Sequence, residues 1–356
     1  MQMKEAEAVE LVETTPLEGL ANLQTDVVYT HVDYLVRELP GPIDLYQRWE
    51  RQQWSASALD FSVDREQWGS MHPRVREQME ATFGGFFYGE QAVTDTLSPL
   101  LMGAPDEESR LFLATQVVDE ARHSYFFARV YNDVLGIGSG LRDALAHVGE
   151  ARRSEGGYGR IFDPHDGELV TLTDAVRVDP SHYGKWVQAL TVYHLMVEAL
   201  LALPNQRRIL RVLRASDLLP GFRAGFTAVT RDESRHVSYG IWALRQAVRA
   251  GHEADIRTVV DRTLEHCLRV YANPEIKLPD PRSLPAGARV DPREMWAFAV
   301  ESLTKRLRTA GVSPDYVADV DQRGWAIVWN AVERYEERHG EEHPVRLWER
   351  AAVAAS

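Results

Sequence analysis

Thiol chemistry is nearly absent from this chain: Cys267 is its single cysteine. No intramolecular disulfide can form, and the cytoplasm is the expected compartment. Long apolar runs are missing too. No stretch approaches the ~18 consecutive apolar residues of a membrane span, so no span is expected. Positive charge is in deficit, with 40 Lys and Arg against 53 Asp and Glu and a net charge of −13. That balance argues against nucleic acid as a partner. The opening MQMKEAEAVELVE is acidic and lacks the basic-then-apolar layout of a signal peptide. No fixed-period repeat marks a solenoid.

What is present is helical periodicity, in a chain of 356 residues of which 44% are apolar, enough to bury a large core. Residues 1–42 read as an arm, because Pro16, Pro40 and Pro42 interrupt any long helix. A short amphipathic pattern follows around Leu45, Trp49 and Trp54. Pro73 opens a long helix over 74–102, and a second runs over 106–135 until Gly136 and Gly138 stop it. The stretch 154–180 changes character: SEGGYGR, DPHDGE and a threonine-bearing apolar run read as a loop excursion with room for a small hairpin. Periodicity returns over 182–203, where Pro204 is expected to end it, and over 220–250, ended by Gly251. Pro274, Pro279, Pro281 and Pro285 mark an irregular linker before further helices over 291–311 and 314–350. The expected class is all-α.

Two strings carry the chemistry: Asp119-Glu120-Ala121-Arg122-His123 and Asp232-Glu233-Ser234-Arg235-His236. Each contains Glu-x-x-His, and positions three apart on a helix share a face, so carboxylate and imidazole can reach one metal together. The other two long helices each carry an acid in an apolar stretch, Glu90 in FFYGEQAVT and Glu198 in HLMVEALLALP. One glutamate from each of two helices and a Glu-x-x-His from each of two others is the ligand set of ferritin-like di-metal bundles. A lone carboxylate in such a core costs several kcal/mol unless it is paired or binds a cation. Two divalent ions balance four carboxylates, with neutral imidazoles completing the set. Oxygen and nitrogen donors without thiolates suit iron or manganese, Fe/Fe or Mn/Fe. The expected metal ligands are therefore Glu90, Glu120, His123, Glu198, Glu233 and His236, with Glu120 and Glu233 as bridges. Asp119 and Asp232 are the expected acceptors behind the histidines, and Arg122 and Arg235 are placed to pair with them. His194, four residues before Glu198, is expected to support the site. Phe83, Phe86, Phe87, Met196, Leu200 and Phe226 are candidate cavity walls.

At these residues the sequence resembles the superfamily of the ribonucleotide reductase small subunit, the multicomponent monooxygenase hydroxylases and the ligand-binding oxidases related to the reductase subunit. The resemblance spans residues 40 to 310 or so. GEQAVT at 89–94, DEARH followed by Phe126 and Phe127, YHLMVEALLAL at 193–203 and RDESRHVSYG at 231–240 resemble the ligand-binding oxidases in particular. That resemblance implies a ferritin-like four-helix bundle core with flanking helices, within a domain over 43–311 interrupted by the 154–180 excursion. A C-terminal helical extension over 312–356 follows. It implies an oxidoreductase with dioxygen as co-substrate, acting on C–H or O–H bonds, with a fatty-acid-like or other small-molecule ligand beside the metals. It also implies a homodimer and an ether crosslink between Val93 and Tyr193. Tyr193 lies five residues before Glu198, so reaching the metals requires a distorted helix. An electron-donating reductase is a candidate partner.

Two other readings stand beside this one. A natural-product oxygenase, hydroxylating or N-oxygenating, uses the same di-iron ligands. The arylamine N-oxygenases add a histidine four residues before the last ligand glutamate, and Val229 stands there. In a reductase radical subunit the radical tyrosine follows the first ligand histidine by four residues, and Phe127 stands there.

Overall fold

The computed structural model describes residues 4–152, 156–278, 280–283 and 291–355. Ser154 and Glu155 of the expected excursion, and Pro279 and Pro285 of the expected linker, lie outside the described residues. Among the described residues every regular element is helical. The chain opens with α1 (Glu5–Thr14), α2 (Leu17–Leu20), α3 (Thr25–Glu38), α4 (Pro42–Arg51) and α5 (Ser62–Ser70). Next come α6 (Pro73–Thr96), the short α7 (Ser98–Met102) and α8 (Glu107–Arg129), which continues as a π-helical turn over Val130–Leu135. After α9 (Leu141–Arg152), α10 (Gly156–Phe162) and α11 (Glu168–Val178), a long rod is built from three pieces. These are α12 (Tyr183–Leu190), a π-helix over Thr191–Ala202 and α13 (Leu203–Ala215). The remaining helices are α14 (Pro220–Arg249), α15 (Glu253–Tyr271), α16 (Pro292–Ala310), α17 (Pro314–His339) and α18 (Val345–Ala355).

The four helices at the centre are α6, α8, the rod and α14, and local chemistry fixes where each starts. Pro73 occupies the first turn of α6, where its missing N–H costs nothing. Asp106 caps α8 by accepting from the Ser109 amide at 2.7 Å. The first-turn amides of Gly221 and Phe222 in α14 donate to Asp64 at 2.8 and 2.7 Å. Almost all of α14 is buried. Gly240 lets it meet the rod: a Cβ there would sit 2.2 Å from the His194 Cβ.

The rod Tyr183–Ala215 is long and apolar enough to cross a membrane, with a mean hydropathy of 1.4 over one window, yet 89% of that window is buried inside the protein. Its apolar surface is consumed by the core. Pro204 does not end it, contrary to expectation. The π-helix has already shifted the ladder, since the Leu203 amide bonds back to the Glu198 carbonyl. The carbonyl an ordinary amide at 204 would reach is that of Leu200, and Tyr271 Oη donates to it at 2.5 Å and to Leu201 O at 2.7 Å. A tyrosine from α15 thus replaces the donor that proline lacks.

One other expectation changes. Within 154–180 the described residues form α10 and α11, not a loop with a hairpin. The β-branched run around Thr171 and Thr173 suggested a strand, but Leu169, Leu172, Thr173 and Val176 bury one face at helical spacing. The segment read as an arm over 1–42 consists of short helices, with its prolines at their boundaries. Pro16 precedes α2 and Pro42 is the first residue of α4. This segment is tied to the core: Arg231 of α14 donates to Thr15 O at 3.2 Å, and Ser238 donates to Leu35 O at 3.0 Å.

Candidate metal centre

Six side chains from the four central helices converge at one buried point. Glu90 comes from α6, Glu120 and His123 from α8, Glu198 from the π-helix, and Glu233 and His236 from α14. Ligand-capable atoms of Glu90, Glu120, His123 and Glu233 all lie within 4.8 Å of one another, as do those of Glu120, Glu198 and His236. His123 Nδ1 is 3.3 Å from Glu90, 3.4 Å from Glu120 and 3.7 Å from Glu233. His236 Nδ1 is 3.3 Å from the other oxygen of Glu120, 3.7 Å from the other oxygen of Glu233 and 3.8 Å from Glu198. Glu120 and Glu233 therefore each turn one oxygen to either histidine.

Neither Nδ1 makes a hydrogen bond, and Glu120, Glu198 and Glu233 each keep a buried oxygen without a partner. Two imidazole lone pairs facing carboxylates are repulsive unless cations stand between them. The spacing suits that: donors each ~2.1 Å from a shared first-row ion lie ~3–4 Å apart. The residues present fit a two-ion group. In the metal-free chain the same crowding distorts every titration. Burial pushes Glu90 up to about 8. Burial, with Glu233 close by, drives Glu198 far above the ordinary carboxylate range. Burial would also raise Glu120, but the imidazoles of His123 and His236 beside it bring it below its usual value. Burial opposes charge on His123, yet Glu90, Asp232 and Glu120 hold its pKa well above the ordinary one.

The outward nitrogens are bound crosswise. His123 Nε2 lies 3.2 Å from Asp232, and His236 Nε2 lies 3.1 Å from Asp119. The acid of each motif thus serves the histidine of the other, which sets the Nε2–H tautomer and aims Nδ1 inward. Arg235 joins both acids, at 3.0 Å to Asp119 and 2.6 Å to Asp232. Arg122 binds Asp119 and also reaches Asp232 at 3.2 Å. Two indoles close the layer: Trp49 donates to Asp119 at 2.9 Å and Trp54 to Asp232 at 2.7 Å. The tryptophans read in sequence only as an amphipathic stripe; nothing in their spacing signals this role.

Gln116 was also invisible as a site residue. It lies four residues before Glu120, fully buried, and donates to Glu198 at 2.7 Å and Glu120 at 3.3 Å. His194 is hydrogen bonded to Gln116 at 3.0 Å. Its Nε2 thus meets an amide, and its support of Glu198 runs through Gln116. The signal that could have found Gln116 is its position one turn before Glu120 on the same face.

Tyr193 is buried with Oη 3.3 Å from the Val93 carbonyl and 3.4 Å from Glu120. The π-helix over Thr191–Ala202 supplies the distortion that its position required, since i→i+5 bonding brings residues five apart toward one face. A cavity of about 320 Å³ opens beside the carboxylates. Of the expected wall residues only Phe86 lines it. Phe83, Phe87, Met196, Leu200 and Phe226 are fully buried in the core, where Phe83 stacks on Phe222 at 4.3 Å. Tyr158 and Phe162 of α10 line it instead, held by Tyr88 Oη donating to the Phe162 carbonyl at 3.3 Å.

Fold and cluster together define the class: a ferritin-like helical bundle with carboxylates and histidines gathered at its centre. No family model matches the sequence. Among solved structures the fold is similar to that of R2-like ligand-binding oxidases. A variant with an anaerobically reconstituted Mn/Fe cofactor is 24% identical, with a TM-score of 0.63 over 75% of this chain and 92% of its own. The oxidase from Sulfolobus acidocaldarius is 25% identical, with a TM-score of 0.60 over 78% of this chain and 93% of its own.

Proposed function

We propose that this chain is a dioxygen-activating oxidase with a di-metal carboxylate centre, Mn/Fe or Fe/Fe, acting on C–H or O–H bonds. The observation that carries this is the pair of inward Nδ1 atoms without hydrogen bonds, facing carboxylates shared between them. Glu90 and His123 would hold one ion, Glu198 and His236 the other, and Glu120 and Glu233 both. When bound, such ions supply the electrons for dioxygen reduction. The chain's own residues exclude water and fix the geometry: Asp119 and Asp232 hold the imidazoles, and Gln116 holds Glu198. Tyr193 keeps its phenolic proton, because burial and then Glu120 raise its pKa well above the ordinary value. In this reading oxidation joins the Tyr193 oxygen to the Val93 side chain, with two hydrogens lost to the oxidant. The protein acts as a homodimer in the cytoplasm, with a small-molecule or fatty-acid-like ligand in the cavity and an electron-donating reductase as partner.

A second reading, a small-molecule oxygenase, is favoured by the cavity beside the carboxylates and by α10 closing it. The radical-subunit reading meets Phe127 at the critical position, packed among Phe86, Phe87 and Phe126.

The test is anaerobic loading with Fe(II) and Mn(II), elemental analysis, then exposure to air with peptide mass mapping. Two ions per chain and a fragment containing Val93 and Tyr193, about 2 Da lighter than its two peptides, are expected; Tyr193→Phe should abolish the fragment and keep the metals. Two ions without the fragment would favour the oxygenase reading. No metal uptake would defeat both.

A further inference from the structure

A second cavity, of about 280 Å³, lies between α13, the start of α16 and α18, and none of the six metal-ligand residues borders it. Its size is near the lower bound for ligand sites, ~300 Å³, so it admits one compact molecule and not a long chain. Arg207, Arg208 and Arg211 enter it from α13, where positions three and four apart share a face. Met295 and Phe298 of α16 and Trp348 of α18 supply much of the apolar wall. Two acids, Asp291 and Glu294, complete the polar lining.

These polar groups do not balance. Asp291 caps α16, accepting from the Arg293 amide at 3.0 Å, and pairs with the Arg293 guanidinium at 2.6 Å. Glu294 faces Arg211 at 3.3 Å, but both side chains are about half exposed, and such a pair holds by little. Arg207 donates to Asp26 at 3.1 Å and lays its guanidinium 4.9 Å from the centre of the Phe298 ring. Arg208 is left over. It is half-buried, no carboxylate pairs with it among the described residues, and its Nε is buried without a hydrogen-bond partner. Burial pushes its pKa below the ordinary guanidinium value. The indole Nε1 of Trp348 is likewise buried with no acceptor among the described residues. Desolvated donors without acceptors cost free energy that an anion restores.

We propose that this cavity is a binding site for a small aromatic anion, a ring bearing one carboxylate or phosphate, whose acid group lies between Arg208 and Arg211 and accepts from the indole N–H of Trp348. A ring suits the remaining walls, because guanidinium planes and aromatic faces both stack on flat groups. Two or more arginines with spare N–H donors suit an acid group with two or three oxygens. Arg208 also borders the cavity beside the carboxylates, so a ligand here holds that guanidinium on the wall between the two. The site is independent of the di-metal reading.

The experiment is isothermal titration of the full chain as purified with phenyl phosphate, benzoate, inorganic phosphate and benzyl alcohol. At least one of the two aromatic anions should bind ten-fold or more tighter than either inorganic phosphate or benzyl alcohol, and the comparison of the two identifies the acid group. Arg208→Gln should weaken that anion ten-fold or more. Arg211→Gln and Trp348→Phe, which border this cavity and not the one beside the carboxylates, should each weaken it three-fold or more. Arg269→Gln makes the same charge change in the other cavity alone and should leave binding unchanged. No binding by either aromatic anion, or binding no tighter than that of benzyl alcohol or inorganic phosphate, would overturn the proposal. So would unchanged binding in Arg211→Gln and Trp348→Phe, or an equal loss in Arg269→Gln, which would put the anion in the other cavity.

Discussion

On the Nε2 side of His123 and His236 every carboxylate oxygen has a partner. Asp119, Asp232, Arg122 and Arg235 neutralise one another, and Trp49 and Trp54 fill the remaining acceptor positions. On the Nδ1 side, a few ångströms away, four carboxylates and two lone pairs face each other with buried oxygens left unpaired. The contrast separates two uses of buried charge. A closed network holds geometry without help from outside, whereas an open one is complete only with cations in it.

The largest effect expected from breaking this contrast is on metal content. Glu120→Ala or Glu233→Ala should lose at least one of two ions per chain, because each faces both histidines. Asp119→Asn should keep the stoichiometry and weaken affinity by about 10–100-fold. Equal metal content in wild type and Glu233→Ala after anaerobic Fe(II) and Mn(II) loading would remove the assignment.

Next in size is stability without metal. Asp232→Ala leaves Arg235 one carboxylate instead of two and takes the acceptor from Trp54 and His123 Nε2; it should cost about 3–5 kcal/mol, read from urea unfolding in chelator. Glu90→Gln, on the open side, replaces a carboxyl that burial already keeps protonated at neutral pH and should cost little. Similar losses in the two variants would mean that the sides do not differ. Tyr271→Phe probes the rod alone. It leaves the Leu200 carbonyl without its donor and should cost about 1–3 kcal/mol.

The smallest expected effect is a pH slope. Burial lifts Glu90 from 4.5 to about 8 in the metal-free chain. Between those values the folded state keeps a proton that the unfolded chain has released. The stability tied to that proton is fully present below pH 4.5 or so and is lost as pH rises through 8. His123 and His236, also raised, act in the same direction. Unfolding free energy in chelator should therefore fall with pH across this window, by up to about 1.4 kcal/mol per pH unit for one proton. Glu90→Gln should flatten the fall; an identical slope would exclude Glu90 as a source.

The helical class and the convergence of six ligand-type residues were legible because both rest on spacing. Glu-x-x-His twice, and an acid within each of two apolar stretches, state their geometry in one dimension. What escaped depends on partners distant in sequence. Pro204 reads as a stop until Tyr271 is beside it. Trp49 and Trp54 read as a greasy stripe until Asp119 and Asp232 meet their indole nitrogens. The segment after α9 read as loop because glycine and threonine weaken local preference, and only burial of Leu169, Leu172 and Val176 decides for helix.

The exchange of acids between the two motifs makes damage appear away from where it is done. A lesion at Asp119 unsettles His236, 117 residues downstream, while the histidine four residues along its own helix keeps its anchor. Neither motif can mature alone, so α8 and α14 must dock before either imidazole is oriented. A chain severed between them would regain an ordered centre only when both pieces were present together.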